Sequence, residues 1–294
     1  MSNDQPSTWR ELWSETTALL GDEKEARWLC EEASGLDGNE FLESLNEPAT
    51  MRMGVSLQAM VGRRLAGEPV QYVLGHWPFR HIDLLIDQRV LIPRPETEQV
   101  VEAALSCARS LRSHGNMLRI ADIGTGSGAI GLSMANELPH DNTEVWLCDI
   151  SIDALNVARA NIAGIGRNAP NVRVAEGSWC AALPRELAGS FQVVVSNPPY
   201  IDAADPLVEE SVRTWEPHIA LFSPNQGLSD ILGIAQEALE FLAPGGFLIC
   251  EIGFQQAGVV RSEFVQLGYV NVEVRQDFAG LDRIVIGQRA TSAE

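Results

Sequence analysis

The chain has 294 residues, 45% of them hydrophobic, and a formal net charge of −19 at pH 7, which suits two domains with a sizeable core. With 20 arginines against a single lysine and acids nearly double the bases, a duplex-gripping basic face is disfavoured and a protein or small-molecule substrate is favoured. No stretch reaches the ~20 apolar residues of a membrane span, and MSNDQPSTWRELW lacks signal-peptide order, so the expectation is a cytoplasmic protein without membrane or stable nucleic-acid partners.

Residues 1–72 read as a helical domain. ELWSETTALL, KEARWLCEEASG and SLQAMVGRRLAG space apolar residues helically, with Gly35 and Gly67 as stops. Residues 73–95 read as a hairpin and linker, because HIDLLID alternates in strand fashion and Pro93 and Pro95 punctuate its end. Glu96, Thr97 and Glu98 open a helix to about Arg112, where first-turn carboxylates suit the helix dipole. Arg94, held between two prolines, reads as an aimed group. Cys30, Cys107, Cys148, Cys180 and Cys250 form no CxxC pair and read as reduced, mostly buried thiols. The five histidines are dispersed, so no metal site is expected.

From Met117 onward, within a domain of residues 96–294, strands and helices alternate. MLRIADIG, TEVWLCDI, VRVAEG, FQVVVS and GFLICEIG read as apolar strands of a parallel sheet covered on both faces. GAIGLSMANEL, SIDALNVARANIAG, QGLSDILGIAQEALEFL and QQAGVVRSEFVQLG are helices, the third closed by a turn at APGG. VNVEVRQDF and RIVIGQR, with no helix between them, form a terminal antiparallel hairpin. The fold class is therefore α/β, with a mostly parallel seven-stranded, Rossmann-like sheet behind a small α-helical domain.

After the first parallel strand comes Gly124-Thr125-Gly126-Ser127-Gly128. Glycines at alternate positions let the backbone pass close to a ligand at a helix N-terminus. Gly126, Gly128 and Gly131 also satisfy GxGxxG, a weak dinucleotide signal on its own. Asp149, at the next strand end, fits a ribose diol. The loop points to an adenosine-bearing cofactor without saying which.

The strand FQVVVS stops at Asn197-Pro198-Pro199-Tyr200. In an open parallel sheet, ligands sit outside the carboxyl ends of the strands, so this segment faces the same crevice as the glycine loop. Two prolines stiffen the chain and remove donors, leaving acceptors in fixed places. Asn197, with its side-chain carbonyl, and Pro198, with its backbone carbonyl, can hold the two hydrogens of a planar –NH2 group. Both would stabilise the positive charge that grows as that nitrogen attacks carbon. Tyr200 can stack on the flat group. The matching electrophile is the methyl of S-adenosylmethionine; a hydride-transfer enzyme has no use for two acceptors on an amine.

DIGTGSG, the acidic second strand end and SNPPY together resemble class I S-adenosylmethionine-dependent amino-methyltransferases. LIPRPETE, SNPPYI, EPHIAL, APGGFLICEIG and the helical N-terminal region resemble, more narrowly, the release factor glutamine methyltransferases. That resemblance implies methylation of the side-chain amide nitrogen (N5) of the glutamine in the Gly-Gly-Gln loop of class I peptide chain release factors, with S-adenosylhomocysteine as by-product. It implies a cofactor site at Gly124, Thr125, Gly126, Ser127, Gly128, Asp149, Trp179 and Asn197. Asn197, Pro198, Pro199 and Tyr200 would hold the substrate amide, with Asn197 and Pro198 catalytic, and the helical domain would grip the release factor. Ser178 stands where relatives often carry an acid, so Glu176 becomes the alternative contact to the adenine amine. Two other readings share the motifs: a glutamine methyltransferase of a ribosomal protein, and a nucleic-acid amino-methyltransferase, which the acidic balance and lack of a basic or aromatic-rich recognition domain disfavour.

Overall fold

The computed structural model describes residues 7–112 and 116–291, and the chain divides into two compact units that meet in sequence at Gly75 and His76. The first contains α1 (Trp9–Leu20), α2 (Glu23–Ser34), α3 (Gly38–Glu43), α4 (Met51–Leu65) and α5 (Val70–Leu74). Thr8 and Glu11 form a reciprocal capping box at the start of α1, and Asp22 accepts from the N–H groups of Lys24 and Glu25 at the start of α2. Both helices end on left-handed glycines, Gly21 and Gly35. Trp9, Leu29, Phe41 and Leu57 are buried together in the core of this unit. α3 and α5, of 6 and 5 residues, are too short to leave a periodic signature.

The second unit begins with a two-stranded antiparallel hairpin, β1 (His76–Phe79) and β2 (Ile82–Leu85), followed by α6 (Thr97–Leu111). Then come β3 (Leu118–Ile123), α7 (Ala129–Glu137), β4 (Thr143–Asp149), α8 (Ile152–Ile162), β5 (Val172–Glu176) and β6 (Phe191–Ser196). After β6 the chain makes α9 (Glu210–Trp215), the short turn α10 (Pro224–Gly227) and α11 (Ser229–Phe241). β7 (Leu242–Glu251), α12 (Ala257–Gln266), β8 (Tyr269–Gln276) and β9 (Asp282–Arg289) complete it.

One seven-stranded sheet has the order β5-β4-β3-β6-β7-β9-β8. β5 through β7 in that order run parallel, and β9 is antiparallel to both β7 and β8. The fold class and the seven strands thus stand as read from the sequence. One local expectation is corrected: APGG is not a turn outside the sheet but part of β7. Leu242 pairs with Phe191, the register shifts, and Phe247 then pairs with Val193. A side chain at Gly246 would come within 2.9 Å of the Phe191 carbonyl oxygen, so the close approach of two backbones requires glycine there.

β3 runs into the sheet as a buried strand, and the chain then turns back over it as α7. Gly131, on the first turn of α7, sits where an added Cβ would lie 2.2 Å from Leu147 Cδ2 and 3.0 Å from Asp122 Oδ2. This glycine serves helix-to-sheet packing rather than ligand approach. Gly131→Ala should lower the unfolding free energy by ~1–3 kcal/mol, the usual cost of overpacking a close-packed interior, as read by urea denaturation.

Candidate active site

The sheet order reverses at β3: β4 and β5 lie to one side of it, β6 and β7 to the other. Such a switch opens a crevice beyond the carboxyl ends of the strands. Ile123 of β3 pairs with Cys148 of β4 and with Ser196 of β6. The residues that follow these three, Gly124, Asp149 and Asn197, are therefore brought to one edge of the sheet. Gly124, Thr125, Gly126, Ser127, Asp149, Ser178, Trp179, Asn197 and Pro199 line one cleft of about 350 Å³, within the range of small-molecule sites. A second hollow beside it is lined by Arg94, Asn197, Pro198, Tyr200, Leu207 and Phe254, among others. Asn197 is common to both.

The glycine loop is held by carboxylates. Gly124, Gly126 and Gly128 have φ of 69°, 55° and 89°, left-handed values that favour glycine. Asp149 accepts from the N–H of Gly126 and of Ser151, both at 2.9 Å. Burial pushes its carboxyl above the usual range, against those backbone donors. Asp122, beneath the loop, accepts from Thr125 Oγ1 at 2.5 Å and from the Gly131 N–H at 2.8 Å. Gly128 is the left-handed N-cap of α7 and is not among the residues that line the cleft.

Trp179 has φ 43°, an uncommon conformation for a bulky residue and a mark of strain held by its surroundings. A Cβ at Gly124 would lie 3.4 Å from its ring, so the indole closes over the glycine turn. Ser178 lines the cleft with it, whereas Glu176 is exposed at the end of β5 and is not among the described lining residues.

The Asn-Pro-Pro-Tyr segment is fixed from several sides. Pro198 and Pro199 are buried. The Tyr200 carbonyl accepts from Gln256 Nε2 at 2.9 Å, and Gly227, with φ 81°, packs so closely that a Cβ would fall 2.0 Å from that oxygen. The Tyr200 hydroxyl donates to Glu251 Oε1 at 3.0 Å, and burial followed by the neighbouring carboxylate pushes the phenol well above its ordinary value. Asn197 Nδ2 donates to Thr97 Oγ1 at 3.2 Å.

Arg94 is aimed, as its two prolines suggest, but at a carboxylate. It donates to Glu216, which also accepts from the Ile92 N–H at 3.1 Å. Thr97 does not cap its own helix; its hydroxyl donates to Glu251 Oε2 at 2.7 Å. The sequence places Thr97 only at a helix start and gives no role to Glu216 or Glu251. The one available signal was a carboxylate closing the otherwise apolar strand FLICE. All five cysteines are buried and unpaired, and no group of three metal-ligating side chains occurs among the described residues. No helix among them is long and apolar enough to cross a membrane.

The sheet order, the glycine turn and the acceptor-rich strand end define a methyltransferase of the α/β class. Models of the methyltransferase small domain match residues 104–214, and of the PrmC N-terminal domain residues 14–75. A release factor glutamine methyltransferase of Aliivibrio fischeri is 41% identical over 79% of this chain and 78% of its own. One from Neisseria gonorrhoeae is 39% identical over 90% and 92%. The chain belongs to the release factor glutamine methyltransferase family. A solved methyltransferase from Pyrococcus furiosus shares the fold at 19% identity, with a TM-score of 0.50 over 79% of this chain and 98% of that one.

Asp122 offers a test of the loop's electrostatics. Burial, its largest influence, pushes its carboxyl from 3.8 to about 6, against the bonds from Thr125 and Gly131. A raised acid holds more protons folded than unfolded, so its contribution to stability is full below pH 4 and is lost as pH rises through 6. Relative to wild type, Asp122→Asn should remove a falling segment of up to about 1.4 kcal/mol per pH unit between those limits, as read by urea unfolding across that range.

Proposed function

We propose that the chain transfers the methyl group of S-adenosylmethionine to the side-chain amide nitrogen (N5) of the glutamine in the Gly-Gly-Gln motif of class I peptide chain release factors, tuning translation termination and releasing S-adenosylhomocysteine. The observation that carries the reading is Asn197. Its side chain gives its nitrogen to Thr97, its Oδ1 has no partner among the described residues, and it stands between the glycine-loop cleft and the neighbouring hollow.

The residues present fit the cofactor. The left-handed turn at Gly124, Gly126 and Gly128 leaves backbone uncovered by side chains, with Thr125 and Ser127 between. Asp149 keeps acceptor capacity beyond its two backbone donors, which suits a ribose diol. Trp179, in its strained conformation, supplies a flat apolar wall. When bound, S-adenosylmethionine supplies an electrophilic methyl carbon that a weak nitrogen nucleophile can attack.

The protein's part is placement and charge. An amide nitrogen is a poor nucleophile because its lone pair is delocalised. Asn197 Oδ1 and the Pro198 carbonyl take its two hydrogens, fix the plane of the amide and favour the positive charge that develops at nitrogen. Pro199 stiffens the segment, and Tyr200, tied through its hydroxyl to Glu251, presents its ring to the flat group. No strong base is required before attack, because the alkylated nitrogen sheds its proton readily.

For the rest of the chain the same reading takes residues 1–72 as the part that grips the body of the release factor, 73–95 as hairpin and linker, and 96–294 as the catalytic domain of a cytoplasmic enzyme. The relatives' names support a release factor as substrate, and the charge of −19 disfavours a phosphate backbone.

Purified protein, labelled S-adenosylmethionine and a release factor should yield one added methyl on the Gly-Gly-Gln glutamine by mass spectrometry. Methylation of bare RNA or DNA, or of a ribosomal protein, with the release factor untouched would overturn the proposal. Asp149→Ala should weaken cofactor binding by ~1.5–3 kcal/mol, the range for a hydrogen bond to a charged group, in calorimetry on the folded variant. Asn197→Ala should cut turnover by ~100-fold, as for one lost oriented contact in a transition state, while cofactor affinity persists.

A further inference from the structure

The buried end of β7 carries a group that the chemistry above does not consume. Glu251 is 1% exposed and follows Cys250, which pairs with Ser196, so it stands level with Asn197 on the adjoining strand. Its two oxygens accept from Thr97 Oγ1 at 2.7 Å and from the Tyr200 hydroxyl at 3.0 Å. Glu251 makes no salt bridge among the described residues; burial raises its carboxyl above the usual range, against the two hydroxyl donors and the more distant charge of Arg283, so a carboxylate kept at this point calls for a reason beyond packing.

Hydrogen counting supplies one. An ionised carboxylate accepts only, and a threonine hydroxyl has one hydrogen. Once Thr97 gives that hydrogen to Glu251, its oxygen can meet Asn197 only as an acceptor. The Asn197 amide must therefore turn its –NH2 toward Thr97, where the separation is 3.2 Å. Its Oδ1 is left on the opposite edge. Without the carboxylate, the Thr97 hydroxyl is free to donate to Oδ1 instead, and the amide is free to turn over.

We infer that Thr97 and Glu251 are positioning residues that set which end of the Asn197 amide faces the cleft, making it an acceptor there rather than a donor. The same carboxylate ties down Tyr200, so one buried group orients both polar side chains of the Asn-Pro-Pro-Tyr segment. A turned-over Asn197 would present –NH2 to the substrate –NH2, donor against donor. The inference rests on the methyl-transfer reading for its consequence, but the orientation itself is a property of the protein alone.

The test has two arms on the full chain. In the first, the side-chain amide of Asn197 is followed by 15N–1H correlation without cofactor, and assigned by its disappearance in Asn197→Asp. Wild type should show one of the two protons hydrogen-bonded and slow to exchange. Thr97→Val should lose that signature and Thr97→Ser should keep it. Glu251→Leu, which removes the acceptor, should also lose it; where Glu251→Leu does not fold, the Thr97 pair decides. In the second arm, Thr97→Val should lower kcat by ~10-fold or more, a modest misplacement cost, with cofactor affinity within ~2-fold of wild type and Thr97→Ser restoring turnover. An unchanged Asn197 amide signature in Thr97→Val overturns the inference whatever the substrate. A wild-type protein that leaves release factors unmodified counts against the proposed function instead, and the first arm still decides the orientation.

Discussion

The pairing of β3 with β6 is the contact on which the site depends. Four residues of each strand are in register, ending at Ile123 against Ser196, and the Ser196 hydroxyl donates to the Ile123 carbonyl at 2.6 Å. Both strands are buried nearly throughout, so a one-residue slip would turn their apolar sets to the wrong faces. The register is thereby held, and with it the separation of the glycine turn from Asn197. Two segments over seventy residues apart become neighbours because of hydrophobic burial in strands that carry no chemistry themselves.

Above that frame, buried and half-buried carboxylates organise the loops. Asp122 and Asp149 hold the glycine turn, Glu216 gathers Ile92 and Arg94, and Glu251 gathers Thr97 and Tyr200. Each receives at least two donors, which is what makes a buried acid tolerable. An acceptor with two oxygens can tie two chain segments where a hydrophobic contact would leave their relative orientation loose. The site is thus rigid where the proposed chemistry needs fixed acceptors, and its acids are largely committed to the protein's own backbone and hydroxyls.

By itself the sequence determined the alternation of strands and helices, the terminal hairpin, the glycine loop and the Asn-Pro-Pro-Tyr strand end. These are local patterns: period-2 and period-3.6 spacing, glycine at left-handed positions, proline where donors must be absent. APGG was misread for the same reason, because its place in β7 depends on Phe191 across the sheet, not on its neighbours in the chain. Short helices such as α3 escaped because a turn and a half has no period. Arg94 was legible as an aimed group, but its target, Glu216, lies 122 residues away. Thr97 read as part of a helix start, and only the tertiary structure turned its hydroxyl inward to Glu251, 154 residues on. Hydrogen-bond partners at that distance leave no spacing signal in a single chain. They are decided when the sheet brings strand ends together and most buried donors and acceptors find a mate, Asp122 Oδ1, Ser133 Oγ and Trp146 Nε1 being exceptions.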